Sequence, residues 1–206
     1  MFGDPVTNPM GWNVKPLSEH LKVIGGYAFK STGFVDEGIP VLRIGNINAG
    51  YFRGDNLVFW PYDESLTRFI LYPGDLVISL TGTVGKEDYG NVCVLGNEYG
   101  CYYLNQRNAK LELQKTLNRD YLVSLLKVPE VKGRLTGISR GVRQANIANT
   151  DIVNLEVQVP PIDLQIKFAN FVRQADKSKF VALELVRNTA SLNKYDKSVG
   201  GARDVF

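Results

Sequence analysis

A proline pair followed by a long stretch free of glycine and proline constrains this chain more than any other feature. Pro160-Pro161 holds the residue before each ring extended and so interrupts whatever regular structure precedes it. From Asp163 to about Tyr195 nothing breaks a helix. Apolar or small side chains recur there at Phe168, Phe171, Ala175, Ser178, Ala182, Leu185, Thr189 and Leu192, spaced alternately by three and four. Such a seam runs for about four heptads on a helix roughly 50 Å long at about 1.5 Å per residue. Its small residues predict close packing with modest apolar burial, and Val172 and Val186 widen the stripe. A helix of this kind asks for a partner helix; the alternative is that it folds back on its own domain. The end of the chain, 198–206, contains Gly200-Gly201 and is expected to fray.

Ahead of the prolines the pattern is mixed and rich in strands. Ile39–Ile44, Asp75–Leu80 and Ile152–Val157 are short apolar runs, and Asn108–Leu113 alternates at period two. Gly25-Gly26, Tyr72–Asp75, Gly82, Gly85 and Gly90-Asn91 mark turns between them. Asp120–Leu126 and Glu130–Leu135 read as two short helices on either side of Pro129. The fold class is therefore α+β. The 206 residues, 44% of them apolar and 22% charged, suit one strand-rich globular domain over 1–160, a long coiled-coil-forming helix over 161–197 and a flexible tail over 198–206.

The net charge of +3 and a pI near 8.8 are weak arguments for nucleic acid, but the distribution is stronger. Between Asn105 and Arg143 nine basic side chains face three acidic ones, a local +6, whereas Ile44–Leu104 carries −4. One part of the domain can thus meet a phosphate backbone. No apolar run is long enough to span a membrane, and Met1–Pro16 lacks the pattern of a signal peptide, so a cytoplasmic protein is expected. Cys93 and Cys101, with His20 as the one possible nitrogen ligand, read as reduced thiols and not as a zinc site.

Catalytic signatures are missing where they would be expected. Thr81-Gly-Thr-Val-Gly-Lys86 lacks the first glycine of a P-loop, and Glu87 stands where Ser or Thr should follow the lysine. The chain has one histidine, no Gly-x-Ser-x-Gly and no dinucleotide fingerprint. A metal-dependent nuclease has as its one faint candidate Asp120 with Glu130-Val-Lys132. What remains is a set of polar side chains in glycine-flanked loops: Lys30, Ser31, Thr83, Lys86, Arg107, Arg140, Arg143, Gln144 and Asn146. Arginine forks match guanine O6 and N7, Gln and Asn match adenine N6 and N7, and Lys or Thr can anchor phosphates.

These stretches, taken in order, resemble the specificity subunits of type I restriction-modification systems. The resemblance is carried by Gly26–Ser31 with Phe34, Gly38–Ile47, Pro73–Ser79, Gly82–Gly85, Leu104–Arg107 and Ile147–Gln165, the last ending in Val157-Gln-Val-Pro-Pro-Ile-Asp-Leu-Gln165. It covers nearly all of 10–195. The resemblance implies a non-catalytic target-recognition domain that binds double-stranded DNA and a helix that docks modification (methyltransferase) and restriction subunits. S-adenosylmethionine, ATP and Mg are then expected on those partners, with no cofactor or metal on this chain. The family's full subunit has two recognition domains and two long helices, so this chain looks like half of one. Two copies paired through Phe168, Phe171, Ala175, Ala182, Leu185 and Leu192 would present two recognition domains to a gapped palindrome. A truncated product, or a domain completed by another polypeptide, are the alternatives to this homodimer. Two other readings stay open: a small stand-alone metal-dependent nuclease, and an assembly or decoy partner of the methyltransferase that reads no DNA.

Overall fold

Alternation at period two makes Asn108–Leu113 a strand with one buried face: Ala109 and Leu111 are buried and Glu112 is exposed. It is the central piece of one of two four-stranded sheets. In the computed structural model of the chain, residues 3–4, 7–83, 86, 88–137 and 144–200 are described, with the backbone alone for Gln144 and from 188 onward.

In chain order the strands before the helices are β1 (Val14–Pro16), β2 (Leu21–Gly25), β3 (Ile39–Leu42), β4 (Val58–Trp60), β5 (Ile70–Leu71) and β6 (Leu76–Ser79). Then come β7 (Thr81–Thr83), β8 (Val92–Val94), β9 (Tyr102–Leu104) and β10 (Asn108–Leu113). Helices α1 (Arg119–Leu126) and α2 (Pro129–Thr136) follow, then β11 (Gln144–Asn146), α3 (Asn149–Val153), β12 (Glu156–Gln158) and the long α4 (Ile162–Gly200). One sheet has the order β2-β10-β6-β8 and is antiparallel throughout; the other runs β4-β3-β9-β5 with β3 and β9 parallel. β1 pairs with β12, and β11 with β7. The α+β class expected from the sequence is the class observed.

The chain divides into two units, residues 1–165 and 166–206. Within the first, a core of Val41, Leu42, Ile47, Leu71, Val77 and Leu104 packs around the aromatic rings of Tyr102 and Tyr103. Both phenols stay hydrogen-bonded at its edge: Tyr103 Oη accepts from Asp63 N at 2.9 Å, and Tyr102 Oη accepts from Tyr99 N at 3.2 Å. α1 begins one residue earlier than expected, because Asn118 Oδ1 accepts from the N–H groups of Asp120 and Tyr121 at 3.0 and 3.1 Å and caps the helix. α2 begins at Pro129, whose ring suits the first helical position.

One expected strand is corrected. Ile152–Val157 is split between the end of α3 and the start of β12. Asp151 Oδ2 accepts from Ala148 N at 2.8 Å, which nucleates a helical turn before the apolar run can extend, and Ile152 is buried as part of that turn.

α4 starts inside the first unit and reaches Gly200, into the segment expected to fray. Its first turn is pinned by Gln165, fully buried. Oε1 accepts from Asn118 N at 2.8 Å, and Nε2 donates to the carbonyls of Thr116 at 3.1 Å and Pro160 at 2.7 Å. In the second unit Phe171, Phe180 and Leu185 are 62%, 65% and 68% exposed, and Val181 and Val186 are exposed beside them.

Candidate nucleic-acid interface

The candidate site is built on a loop that a single amide organises. Asn46 is buried; its Oδ1 accepts from Arg43 N at 2.9 Å, and its Nδ2 donates to the carbonyls of Arg53 and Asp55, both at 3.0 Å. Its own carbonyl accepts from Arg53 N at 2.8 Å. Held in this way, the loop presents two arginines. Arg43 Nη2 donates to Asn56 O at 2.7 Å, and the Arg53 guanidinium lies 5.7 Å from the centre of the Tyr51 ring.

Facing this loop is the turn between β9 and β10. Tyr27 O accepts from Gln106 N at 2.9 Å, and Asn105 Oδ1 accepts from Arg107 N at 3.3 Å. Gly26 lets the chain pass this turn, since a Cβ there would collide with the Leu104 and Asn105 carbonyls. Loop and turn enclose a cleft of about 550 Å³ whose lining includes Ser31, Arg43, Arg53, Asn56, Gln106 and Arg107.

A second hollow, of about 280 Å³, shares Ile44 and Arg107 with the first and extends it to Asn48, Thr83 and Asp88. Here the P-loop resemblance ends physically. Asp88 accepts from Thr83 N at 2.8 Å and from Thr83 Oγ1 at 3.1 Å, so the donors a phosphate would need are already taken by a carboxylate. The Thr83 backbone N–H holds the Asp88 carboxyl below its ordinary range. Thr83 lies opposite Gln144, and Thr81 opposite Asn146, in the β7–β11 pair.

Beyond Asn48 the surface opens into a groove of about 750 Å³ between the Ala49–Tyr51 segment and one face of α2. Lys86, Lys127 and Lys132 line it. Asn91 joins its two walls: Nδ2 donates to Asn48 O at 2.5 Å and Oδ1 accepts from Lys132 Nζ at 2.8 Å.

The structure therefore gathers several of the residues expected from sequence. Ser31 and Arg107 line the first cleft, Thr83 and Arg107 the second and Lys86 the groove, while Gln144 and Asn146 sit on the strand paired with β7. Lys30 is exposed immediately before the short helical turn Ser31–Gly33 and is not among the residues lining the cleft. Arg140 and Arg143 lie outside the described residues. Sequence reading missed Arg43, Arg53, Asn56 and Gln106. Arg43 ends an apolar run that signals only a strand, and Asn56 stands at φ +54 in a turn whose facing wall is about fifty residues away. On α4, Phe168 is half-buried, Phe171, Ala175, Ala182 and Leu185 are exposed, and Leu192 is described by backbone alone.

The residues considered for other chemistry are occupied differently. Burial pushes the Cys93 thiol up to about 12 and holds the His20 imidazole below its ordinary value, with Nδ1 2.8 Å from Thr116 Oγ1. Asp120 and Glu130 belong to the first turns of two different helices, and Asp120 Oδ1 accepts from Arg119 Nε at 3.2 Å. Among the described residues no group of three or more His, Cys, Asp or Glu side chains is placed to hold a metal. None of the described helices is long and apolar enough to cross a membrane.

The fold, a strand-rich domain followed by a long helix, is similar to that of two solved chains. The HsdS subunit from Thermoanaerobacter tengcongensis matches with a TM-score of 0.60 at 18% identity, over 82% of this chain and 38% of that one. A chain solved in work on complex assembly and conformational transition of the type I R-M system matches with a TM-score of 0.66 at 18% identity, over 93% of this chain and 45% of that one. The chain belongs to the family of type I restriction modification DNA specificity domains, whose model matches residues 9–189. It is also 24% identical over 173 residues to the MjaVIII specificity subunit of Methanocaldococcus jannaschii, covering 82% of this chain and 40% of that protein. The chain thus spans about two fifths of the length of this curated relative.

Proposed function

We propose that the first unit reads one half of a bipartite duplex-DNA target, and that α4 pairs with the same helix of a second copy while docking methyltransferase and restriction subunits. The observation that carries the reading is the cleft in which Arg43, Arg53, Asn56, Gln106 and Arg107 converge from two loops held by buried amide and backbone hydrogen bonds. Guanidinium forks and carboxamides are the side chains that discriminate base edges, each good bidentate contact being worth about 1–3 kcal/mol. Rigid loops hold them at the geometry such contacts require. A half-site read by one domain is weakly selective, so pairing through the exposed apolar stripe around Phe171, Val181 and Leu185 supplies the second half. On this reading the chain is a non-catalytic reader in the cytoplasm. Methyl transfer from S-adenosylmethionine and Mg- and ATP-dependent steps belong to its partners.

The test is selection from a random duplex pool by the full chain together with its methyltransferase subunit. Enrichment of two short inverted half-sites at fixed spacing, relaxed at one position by Arg107→Ala, supports the reading. Recovery of no common motif overturns it, and metal-dependent cleavage of the pool without partners would favour the nuclease instead.

A further inference from the structure

Of the nine basic side chains between Asn105 and Arg143, the described ones are engaged in different ways. Lys110 is drawn into an ion pair with Asp75 at 2.9 Å, Arg119 faces Asp120 at 3.2 Å, and Arg134 donates to Glu156 O at 3.3 Å. Arg107 belongs to the base-reading cleft. Lys127 and Lys132 instead turn toward a common groove, where Lys86 joins them from the loop after β7. We propose that this groove takes the phosphodiester backbone of duplex DNA and supplies the sequence-independent part of the affinity, while the neighbouring arginine and amide cleft reads the bases. The inference rests on the reading that this face meets DNA.

Three features suit an anionic strand. Among the described residues that line the groove there are three lysines and no carboxylate. An ammonium is a point charge that suits a phosphate oxygen and does not impose the planar match that base edges need. Gly50, Gly133 and Gly137 keep stretches of the walls free of side-chain bulk, and a Cβ added at Gly133 would meet nothing within 4 Å. Finally, the groove continues the reading surface. Asn48 lines the second hollow and its carbonyl accepts from Asn91 Nδ2, whose Oδ1 accepts from Lys132; the hydrogen bonds that shape the reading loop also aim a lysine.

The experiment measures binding of the full chain with its methyltransferase subunit to two duplexes of equal length, the selected target and a scrambled sequence, by fluorescence anisotropy over a series of KCl concentrations. Lys127→Ala, Lys132→Ala, Gly133→Glu and Arg107→Ala are compared, with thermal melts confirming that each is folded. Gly133→Glu adds a carboxylate to the groove wall at a position where an added Cβ meets nothing within 4 Å, and deletes no lysine. The lysine variants should weaken both duplexes by the same factor and lower the slope of log K against log salt by about 0.9 for each phosphate no longer neutralised. Gly133→Glu should weaken both equally, and the target-to-scramble ratio should stay unchanged in Lys127→Ala and Gly133→Glu, which delete no hydrogen-bond partner of Asn91. Arg107→Ala should reduce that ratio. If the lysine and glycine variants bind like the wild type while Arg107→Ala loses selectivity, the groove is overturned and the reading face stands. If Lys127→Ala or Gly133→Glu changes the ratio, the groove reads bases and the inference is equally overturned. If the wild type binds neither duplex, the reading itself fails and takes the groove with it.

Discussion

Asn46 and Cys93 illustrate how single side chains set the properties of this domain. Asn46→Ala would remove the three hydrogen bonds of the buried Asn46 amide, from the Arg43 N–H and to the Arg53 and Asp55 carbonyls. Since each such hydrogen bond contributes about 0.5–1.5 kcal/mol, a lowered urea midpoint is expected, together with weakened binding to the selected target because both arginines lose their fixed approach. Cys93 reports burial through pH. Its thiol has an ordinary value of 9.0 and is held to about 12 in the fold, so the unfolded chain releases the proton first. Stability from this group is full below pH 9 and is lost as pH rises from 9 toward 12. Denaturation across that range should show a decline that is shallower in Cys93→Ala, since that variant lacks the titrating thiol.

At the scale of elements, the first turns of α1 and α4 are held by the amides of Asn118 and Gln165. Gln165→Ala removes at once the three hydrogen bonds of a buried amide, from Asn118 N and to the Thr116 and Pro160 carbonyls. A loss of stability of about 1–3 kcal/mol or more is expected in chemical denaturation. Farther along α4, Leu185→Pro removes an N–H from the helix interior and costs about 3 kcal/mol or more locally. Light scattering should then show a dimer for the wild type and a monomer for the variant. A monomer in both cases would sink self-pairing and leave another polypeptide to supply the second helix. β10, α1 and α2 were legible in the sequence because their signals are local: period two in the strand, and two short helical stretches on either side of a proline. Ile152–Val157 was not, because its apolar content is compatible with strand or helix and the choice was made by Asp151 reaching back to Ala148 N.

For the whole molecule, the proposed pairing through α4 would make geometry part of specificity. Two domains held by one pair of helices would read half-sites at one spacing and on one face of the duplex. Inserting about 5 bp between the selected half-sites turns them to opposite faces, since about 10–10.5 bp make a turn. Affinity measured by gel shift should fall to that of a single half-site. An affinity indifferent to the insertion would show that the two domains do not bind together.

Charge asymmetry, the proline break, the heptad-like spacing and the ordered family motifs were readable from the chain alone, because each is a property of residues near one another in sequence. That is why the class of fold, the long helix and the family could be stated before any coordinate. The candidate interface was decided by tertiary structure. Its walls come from residues 43–56, the turn at 105–107, β7 with β11, and α2, which only the packed sheets bring to one surface. The same packing divided the basic side chains. Lys110 and Arg119 were matched with acids and Arg134 with a carbonyl, while Lys127 and Lys132 were turned toward the groove. A side chain's charge is written in the sequence, but the partner that neutralises it is fixed only when distant segments meet.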